Sequence, residues 1–78
     1  AKPPSALILR MRDVPAVDAT GIIALESFLD ECRSRKIRLF ISEIREQPKK
    51  ALEKAGFVAN LDAENMAVTL EEAIWRCR

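Results

Sequence analysis

Asp13-Val-Pro-Ala-Val-Asp18-Ala-Thr-Gly21 is the stretch that decides the fold of this 78-residue chain. An apolar run, residues 6–11, precedes it, and an amphipathic segment, residues 19–34, follows it. The stretch therefore lies where a strand gives way to a helix. Such junctions expose backbone N–H groups and bind ligands in α/β proteins, so the search for a function starts here.

The segments on either side of this turn predict a βαβ unit. Residues 6–11 are short and apolar, which predicts a strand buried on nearly both faces. In residues 19–34, apolar side chains recur at three- and four-residue spacing, which predicts a helix with Asp18 as its N-cap. Residues 37–42 are rich in apolar and β-branched side chains and predict a second strand. Two strands joined by one helix of this length are expected to pair in parallel.

A short second helix is predicted over residues 46–55, with Pro48 in its first turn and Gly56 just past its end. Its inward side chains are expected to be Ala51, Leu52 and Ala55.

The remaining segments give weaker signals. Phe57-Val58 and Leu61 form an apolar run too short to assign firmly, and Val58 is placed at the edge of the sheet. Thr69-Leu-Glu-Glu72 has the spacing of a capping box and predicts the start of a final helix. We expect the apolar face of that helix to consist of Ala73, Ile74 and Cys77, with Leu70 and Trp75 nearby.

The composition is that of a single small soluble domain. Apolar residues make up 49% and charged residues 32% of the chain. The net charge is +1, and the bases are scattered without aromatic neighbours, which argues against a nucleic-acid surface.

Histidine, the commonest general base and metal ligand, is absent. We therefore predict a non-enzyme without a metal or cofactor. No 18-residue apolar run exists, so the chain is not expected to cross a membrane itself.

The cysteines and the basic cluster have ordinary interpretations. Cys32 and Cys77 lack metal-ligand spacing and are predicted to be small buried hydrophobic residues of a reduced, cytoplasmic protein. Residues 33–38 carry four cationic side chains, which favour the C-terminus of the preceding helix through its dipole. Contact with an acidic partner or a membrane surface is the alternative for this cluster.

The chain resembles the STAS domain, a module shared by sulfate transporters and bacterial anti-sigma factor antagonists. Val14-Pro15 before the aspartate, together with Leu52-Glu-Lys-Ala-Gly-Phe57, is most similar to the cytoplasmic C-terminal domain of SulP-type anion transporters. The resemblance is carried by residues 7–11, 14–21, 37–42, 52–57 and 67–73, together with Ile22 and Leu25.

The resemblance implies an α/β fold of STAS type, similar to the anti-sigma factor antagonists, in which helices pack on a small, mostly parallel sheet. A full domain of this family has further strands before the strand at 6–11. Residues 6–78 are therefore expected to be an N-terminally incomplete STAS-like domain, after a linker or expression-derived segment at 1–5. Its open sheet edge is expected to pair with the missing strands or with a second copy of the chain.

The resemblance also implies a function. It indicates a regulatory, protein-interaction domain of a SulP-type transporter of sulfate or another anion, at the cytoplasmic face of the cell membrane. The expected partners are the rest of the transporter and a cytoplasmic regulatory protein, and the domain would reach the membrane only through the transporter. Two alternatives stay open: a freestanding cytoplasmic anti-sigma factor antagonist switched by phosphorylation, and a module that senses a nucleotide or anion.

The candidate site residues lie at the turn and after the second strand. In the regulatory members of the family, the hydroxyl residue before the glycine is phosphorylated, and Thr20 occupies that position. A phosphate there would meet N–H donors and a favourable helix dipole. Helix capping alone also accounts for Asp18 and Thr20. The predicted partner- or ligand-binding loop consists of Asp18, Ala19, Thr20, Gly21, Ser42 and Glu43, the last two because carboxyl ends of parallel strands share one edge.

Overall fold

The computed structural model describes residues 6–61 and 63–77, so the predicted linker at 1–5 lies outside the described residues. The elements follow the order β1 (Ala6–Arg10), α1 (Ala19–Ser34), β2 (Arg38–Ser42), α2 (Glu46–Lys54), α3 (Phe57–Leu61), a 3₁₀ turn (Ala63–Asn65), β3 (Met66–Ala67) and α4 (Leu70–Arg76).

The three strands form one parallel sheet in the order β1-β2-β3. In the β1–β2 pair, Ala6 lies beside Arg38 and Arg10 lies beside Ser42. The predicted βαβ unit and the small parallel α/β sheet are therefore confirmed. Because β1 has a neighbour on one side only, its other side is an open edge within the part of the chain that the structure describes.

The two faces of the sheet are covered by different helices, because successive side chains of a strand point to opposite faces. Leu39 and Ile41 face the main core, which α1, α2 and α3 complete with Leu29, Leu52 and Phe57. Phe40 and Ser42 face the opposite side, which α4 covers with the buried Ala73. The core thus lies between β2 and the first three helices, and α4 forms a separate layer.

The segment after α2 corrects one prediction. Val58 was expected at a sheet edge, yet Phe57–Leu61 is a helical turn and a half, α3. Phe57 and Leu61 are both buried, and their four-residue spacing places them on the same helical face against the core. The third strand instead comes from Met66–Ala67, which Asn65 holds by donating from its side-chain amide to the carbonyl oxygen of Leu39 at 2.9 Å.

The inward faces of the two later helices also differ from expectation. Leu52 is fully buried, but Ala55 is exposed, because it is the C-cap of α2 and lies past the face that contacts the core. In α4, Ala73 is buried, whereas Ile74 is 43% exposed and so lies on the outer face. Cys77 is half-buried rather than buried, and Cys32 is buried as predicted.

Candidate functional site

The loop between β1 and α1 is fixed at both ends by hydrogen bonds. The N–H of Met11 donates to the carbonyl oxygen of Ser42 at 3.0 Å, which continues the sheet by one residue. Val17 N–H donates to Oε1 of Gln47 at 2.9 Å, which ties the loop to α2. The turn that precedes α1 is thus attached to the sheet and to a second helix.

Asp18 is the N-cap of α1, as the sequence predicts. Its Oδ1 accepts a hydrogen bond of 2.8 Å from the N–H of Gly21, and its backbone is extended at φ −97° and ψ −179°. A Cβ added to Gly21 would lie 3.1 Å from Cγ1 of Val17 and 3.4 Å from Oδ1 of Asp18. Glycine therefore allows the close approach of the loop that the cap requires.

Thr20 and Ala19 are exposed in the first turn of α1. Their N–H groups belong to the first turn of the helix, where backbone donors have no partner within the helix. Among the described residues, neither N–H makes a hydrogen bond. The exposed side chain of Thr20 thus lies beside unpaired backbone donors and the positive end of the helix dipole.

An apolar groove of about 750 Å³ lies next to this turn, between β1 and the N-terminal half of α1. Asp18 and Gly21 line it, whereas Ala19 and Thr20 do not. The other lining residues are Leu9, Arg10, Met11, Val14, Ala16, Val17, Leu25 and Gln47. The groove is thus continuous with the open edge of β1, and it offers apolar contacts to any segment that covers that edge.

The two predicted residues after β2 occupy different environments. Ser42 is fully buried under α4, and its hydroxyl oxygen makes no hydrogen bond within the described residues. The expectation that Ser42 belongs to an accessible loop is therefore wrong, because the side chain points to the face that α4 covers. Glu43 lies in the left-handed region at φ 58° and turns its carboxylate toward Arg10.

Glu43 joins three elements. Its carboxylate accepts a hydrogen bond of 3.0 Å from Nε of Arg10, at the end of β1, and a further one from the backbone N–H of Leu70. The hydrogen bond and charge of Arg10 hold the pKa of Glu43 below its ordinary value, against a smaller opposing effect of desolvation. Arg10 also lines the apolar groove. The Arg10–Glu43 pair therefore connects the groove to the start of α4.

Neither a metal site nor a membrane-spanning helix is found in the described ranges 6–61 and 63–77. No three His, Cys, Asp or Glu side chains in these ranges are grouped so as to hold a metal ion. None of their helices combines the length and the apolar character needed to cross a membrane.

Comparison with known proteins identifies the family. The family model for the STAS domain matches residues 1–73. The chain belongs to the STAS domain family. It is 33% identical over 72 residues to low affinity sulfate transporter 3 of Stylosanthes hamata and 35% identical over 68 residues to sulfate transporter 2.2 of Arabidopsis thaliana. These matches cover 92% and 87% of this chain but only 11% and 10% of the two transporters.

Solved STAS structures superpose closely on this chain. A sulfate transporter family protein from Wolinella succinogenes matches with a TM-score of 0.88 at 35% identity, over 95% of this chain and 62% of the other. The STAS domain of a SulP transporter from Vibrio cholerae matches with a TM-score of 0.86 at 35% identity, over 91% of this chain and 56% of the other. The chain therefore spans less than two thirds of either solved STAS structure.

The sequence identified the turn but missed the groove and the Arg10–Glu43 pair. Residues 6–11 predict a strand buried on nearly both faces, whereas Leu9 and Met11 line a groove beside α1. Arg10 is the last residue of β1 and Glu43 directly follows β2, so the parallel register that puts Arg10 beside Ser42 was the signal that joins them.

Proposed function

We propose that this chain is a regulatory, protein-interaction domain of a SulP-type transporter of sulfate or another anion, and that it works at the cytoplasmic face of the membrane. The observation that carries the proposal is the match over nearly the whole chain to STAS domains of sulfate transporters, at 35% identity and TM-scores of 0.88 and 0.86. The partners that follow are the remainder of the transporter and a cytoplasmic regulatory protein.

The turn at Val17–Gly21, together with the adjoining groove, is our candidate docking surface. The fixed loop presents the exposed Thr20 without requiring a change in the fold, since Asp18 and Gln47 already hold the backbone. Phosphorylation of Thr20 would add nearly two negative charges at this surface. A partner that recognises the unmodified turn would then be repelled, which makes Thr20 a switch.

This switch is tested in the parent transporter by replacing Thr20 with Glu and with Ala. We expect Thr20→Glu to change anion uptake or partner binding at least threefold, and Thr20→Ala to behave like the unmodified protein. Ser27→Glu is the matched control, because Ser27 is exposed on the same helix about two turns away and receives the same charge. Equal uptake and partner binding for the Glu and Ala variants of Thr20 would leave Thr20 as an ordinary exposed residue in the first turn of α1.

The freestanding anti-sigma factor antagonist is the competing proposal for the same switch. The names of the similar proteins favour the transporter, since both are sulfate transporters. The parent reading frame separates the two, because a transporter must encode several segments of about 20 apolar residues before this domain. A reading frame without such segments would overturn the transporter proposal and leave the Thr20 switch open.

A nucleotide- or anion-sensing site has less support. The free N–H groups of Ala19 and Thr20 favour anion contact, but Ser42, one of the two predicted residues after β2, is fully buried and out of reach of a nucleotide. We further propose that the domain is not an enzyme and needs no cofactor. This proposal is supported by the lack of histidine and by the burial of Cys32, where desolvation and the neighbouring Glu31 raise the pKa of the thiol despite the lowering effect of Arg35.

We also propose that the open edge of β1 is covered by a strand in the complete domain, or by a second copy of the chain. The support is the coverage of only 62% and 56% of the two solved STAS structures, and the apolar groove beside that edge.

A further inference from the structure

The basic cluster at residues 33–38 and the exposed Trp75 lie at the end of the sheet where β2 begins, opposite to the end that carries the Asp18 turn. α1 ends there at Ser34, because three residues, 35–37, connect it to Arg38 at the start of β2. α4 also ends there: its first residue, Leu70, donates to Glu43 after β2, whereas its last residue, Arg76, accepts a 3.4 Å hydrogen bond from Nη2 of Arg38 at the start of β2. We name this surface the basic edge, defined as Arg33, Lys36, Arg38, Trp75 and Arg76.

Positive charge dominates the basic edge. Arg33, Lys36 and Arg38 are exposed, and none of the ion pairs among the described residues involves them. Arg76 pairs with Glu72 at 2.6 Å, and Arg35 pairs with Glu31 at 2.7 Å, so these cations are balanced within their own helices. Glu64 is the acidic side chain that shares a groove with Arg38 and Trp75.

Lys36 lies in the backbone turn that ends α1. α1 ends in a Schellman motif, in which Ile37 N–H donates to Cys32 O at 2.8 Å and Lys36 N–H donates to Arg33 O at 3.0 Å. Lys36 therefore has φ 58°, at the position where glycine is favoured. The side chain of Lys36 is exposed at this position.

Apolar and aromatic side chains lie beside these charges. Trp75 is 71% exposed, and Ile74, its neighbour on α4, is 43% exposed. Trp75 lines the same groove as Arg38, whose guanidinium lies 5.0 Å from the ring centroid of the buried Phe40. Tryptophan is enriched where proteins meet the boundary between headgroups and acyl chains, and clustered Lys and Arg attract anionic lipids.

We propose that the basic edge binds the surface of an anionic lipid bilayer. The surface of such a bilayer is negative outside and apolar beneath. The basic edge matches it, because three basic side chains without acidic partners lie next to exposed indole and aliphatic groups. The inference goes beyond the proposed function, on which it rests only for the presence of a bilayer near the domain. With the basic edge on the membrane, the Asp18 turn at the opposite edge faces away from it and stays accessible to a partner.

The test is binding of the 78-residue chain to unilamellar vesicles of phosphatidylcholine alone and of phosphatidylcholine with phosphatidylserine. Co-sedimentation measures the bound fraction, and Trp75, the sole tryptophan of the chain, reports its own environment by fluorescence. We expect binding and a blue-shifted emission with the anionic vesicles only, and weaker binding as salt rises. Circular dichroism checks that each protein used is folded.

Matched variants locate the contact. Each Lys or Arg near an anionic surface strengthens binding by about fivefold, so Lys36→Gln with Arg38→Gln is expected to weaken it about 25-fold. Lys49→Gln with Lys50→Gln removes the same charge from α2 and is expected to change binding less than threefold.

Equal binding to neutral and anionic vesicles, or equal losses in the two double variants, would overturn the proposal. Binding to a polyglutamate peptide without binding to vesicles would also overturn it, in favour of an acidic protein partner. The Thr20 experiment measures transport or partner binding, so failure of either proposal is recognised separately.

Discussion

At the scale of single residues, Asp18 has the clearest structural role in the site. Its Oδ1 satisfies the N–H of Gly21, one of the four backbone donors that a helix start leaves without an internal partner. The same residue lines the apolar groove. A loss of partner binding on substitution of Asp18 therefore has two explanations, loss of the cap and loss of a contact, and they must be separated.

Stability measurements separate them. We expect Asp18→Ala to lower the free energy of unfolding by about 1 kcal/mol, because the capping hydrogen bond is lost. Asp18→Asn keeps a capping oxygen and removes the charge, so its stability should stay within a few tenths of a kcal/mol of the parent chain. Urea denaturation of the three proteins provides the comparison. Equal stability of the Ala variant and the parent chain would contradict the capping role.

The role of Asp18 could be predicted from the sequence, whereas the burial of Ser42 could not. The cap at Asp18 follows from local sequence, because an aspartate three residues before a glycine N–H at a helix start has few other partners. Ser42 could not be placed, because its burial depends on which face of the sheet α4 covers. That choice is made by packing between segments about 30 residues apart, and no local pattern near Ser42 records it.

At the scale of elements, Glu43 links the ends of β1 and β2 to the start of α4. Its contact with Arg10 holds two neighbouring strands, and its contact with Leu70 places α4 on the sheet. α4 has only seven residues, and Thr69 Oγ1 caps it by accepting from Glu72 N–H at 3.1 Å, so its position depends strongly on these terminal contacts. Protonation of Glu43 should therefore loosen α4.

This contact predicts a dependence of stability on acid pH. The pKa of Glu43 lies below its ordinary value of 4.5 in the folded chain, so its stabilisation is complete above about pH 4.5 and is lost as the pH falls through the folded pKa. We expect Glu43→Gln to be less stable than the parent chain at pH 7. Below the folded pKa of Glu43, the stabilities of the two proteins should become similar. Urea midpoints between pH 3 and pH 7 measure the difference. Glu46→Gln, which breaks an exposed pair within α2, is the control and should show a smaller difference.

The sequence predicted the longer elements well and the shortest ones poorly. The bounds of α1 agree with the prediction, since its 16 residues show several turns of apolar spacing and a cap. α3 has five residues and β3 has two, which is too short for periodicity to distinguish a helix from a strand. Their conformations follow from tertiary contacts: Phe57 and Leu61 fill the core together, and β3 pairs where β2 leaves an open side.

At the scale of the whole molecule, β1 is the longer of the two edge strands in the described sheet, because β3 has only two residues. N–H directions alternate along a strand, and Met11 N–H donates to Ser42 on β2, so the N–H groups of Ile8 and Arg10 point outward. No proline or charged side chain lies within residues 6–9 to prevent pairing, and the apolar groove adjoins the same edge. The solved STAS structures are longer, and we expect their additional segments to cover the corresponding edge.

The edge predicts that the 78-residue chain associates with itself in solution through β1. Ile8→Pro removes an outward N–H without removing a hydrogen bond to β2, so it should raise the dissociation constant of the dimer at least fivefold. Ile8→Ala is the control, because it also shortens the side chain but keeps the N–H, and it should dimerise more tightly than the proline variant. Sedimentation velocity over a range of concentrations measures all three proteins, with circular dichroism to verify folding. A parent chain that stays monomeric at millimolar concentration, or equal dissociation constants for the two variants, would show that the edge is not used in this way. Backbone pairing, rather than burial of the Ile8 side chain, is the interaction that this comparison isolates, and it is the same interaction by which an additional strand would complete the sheet.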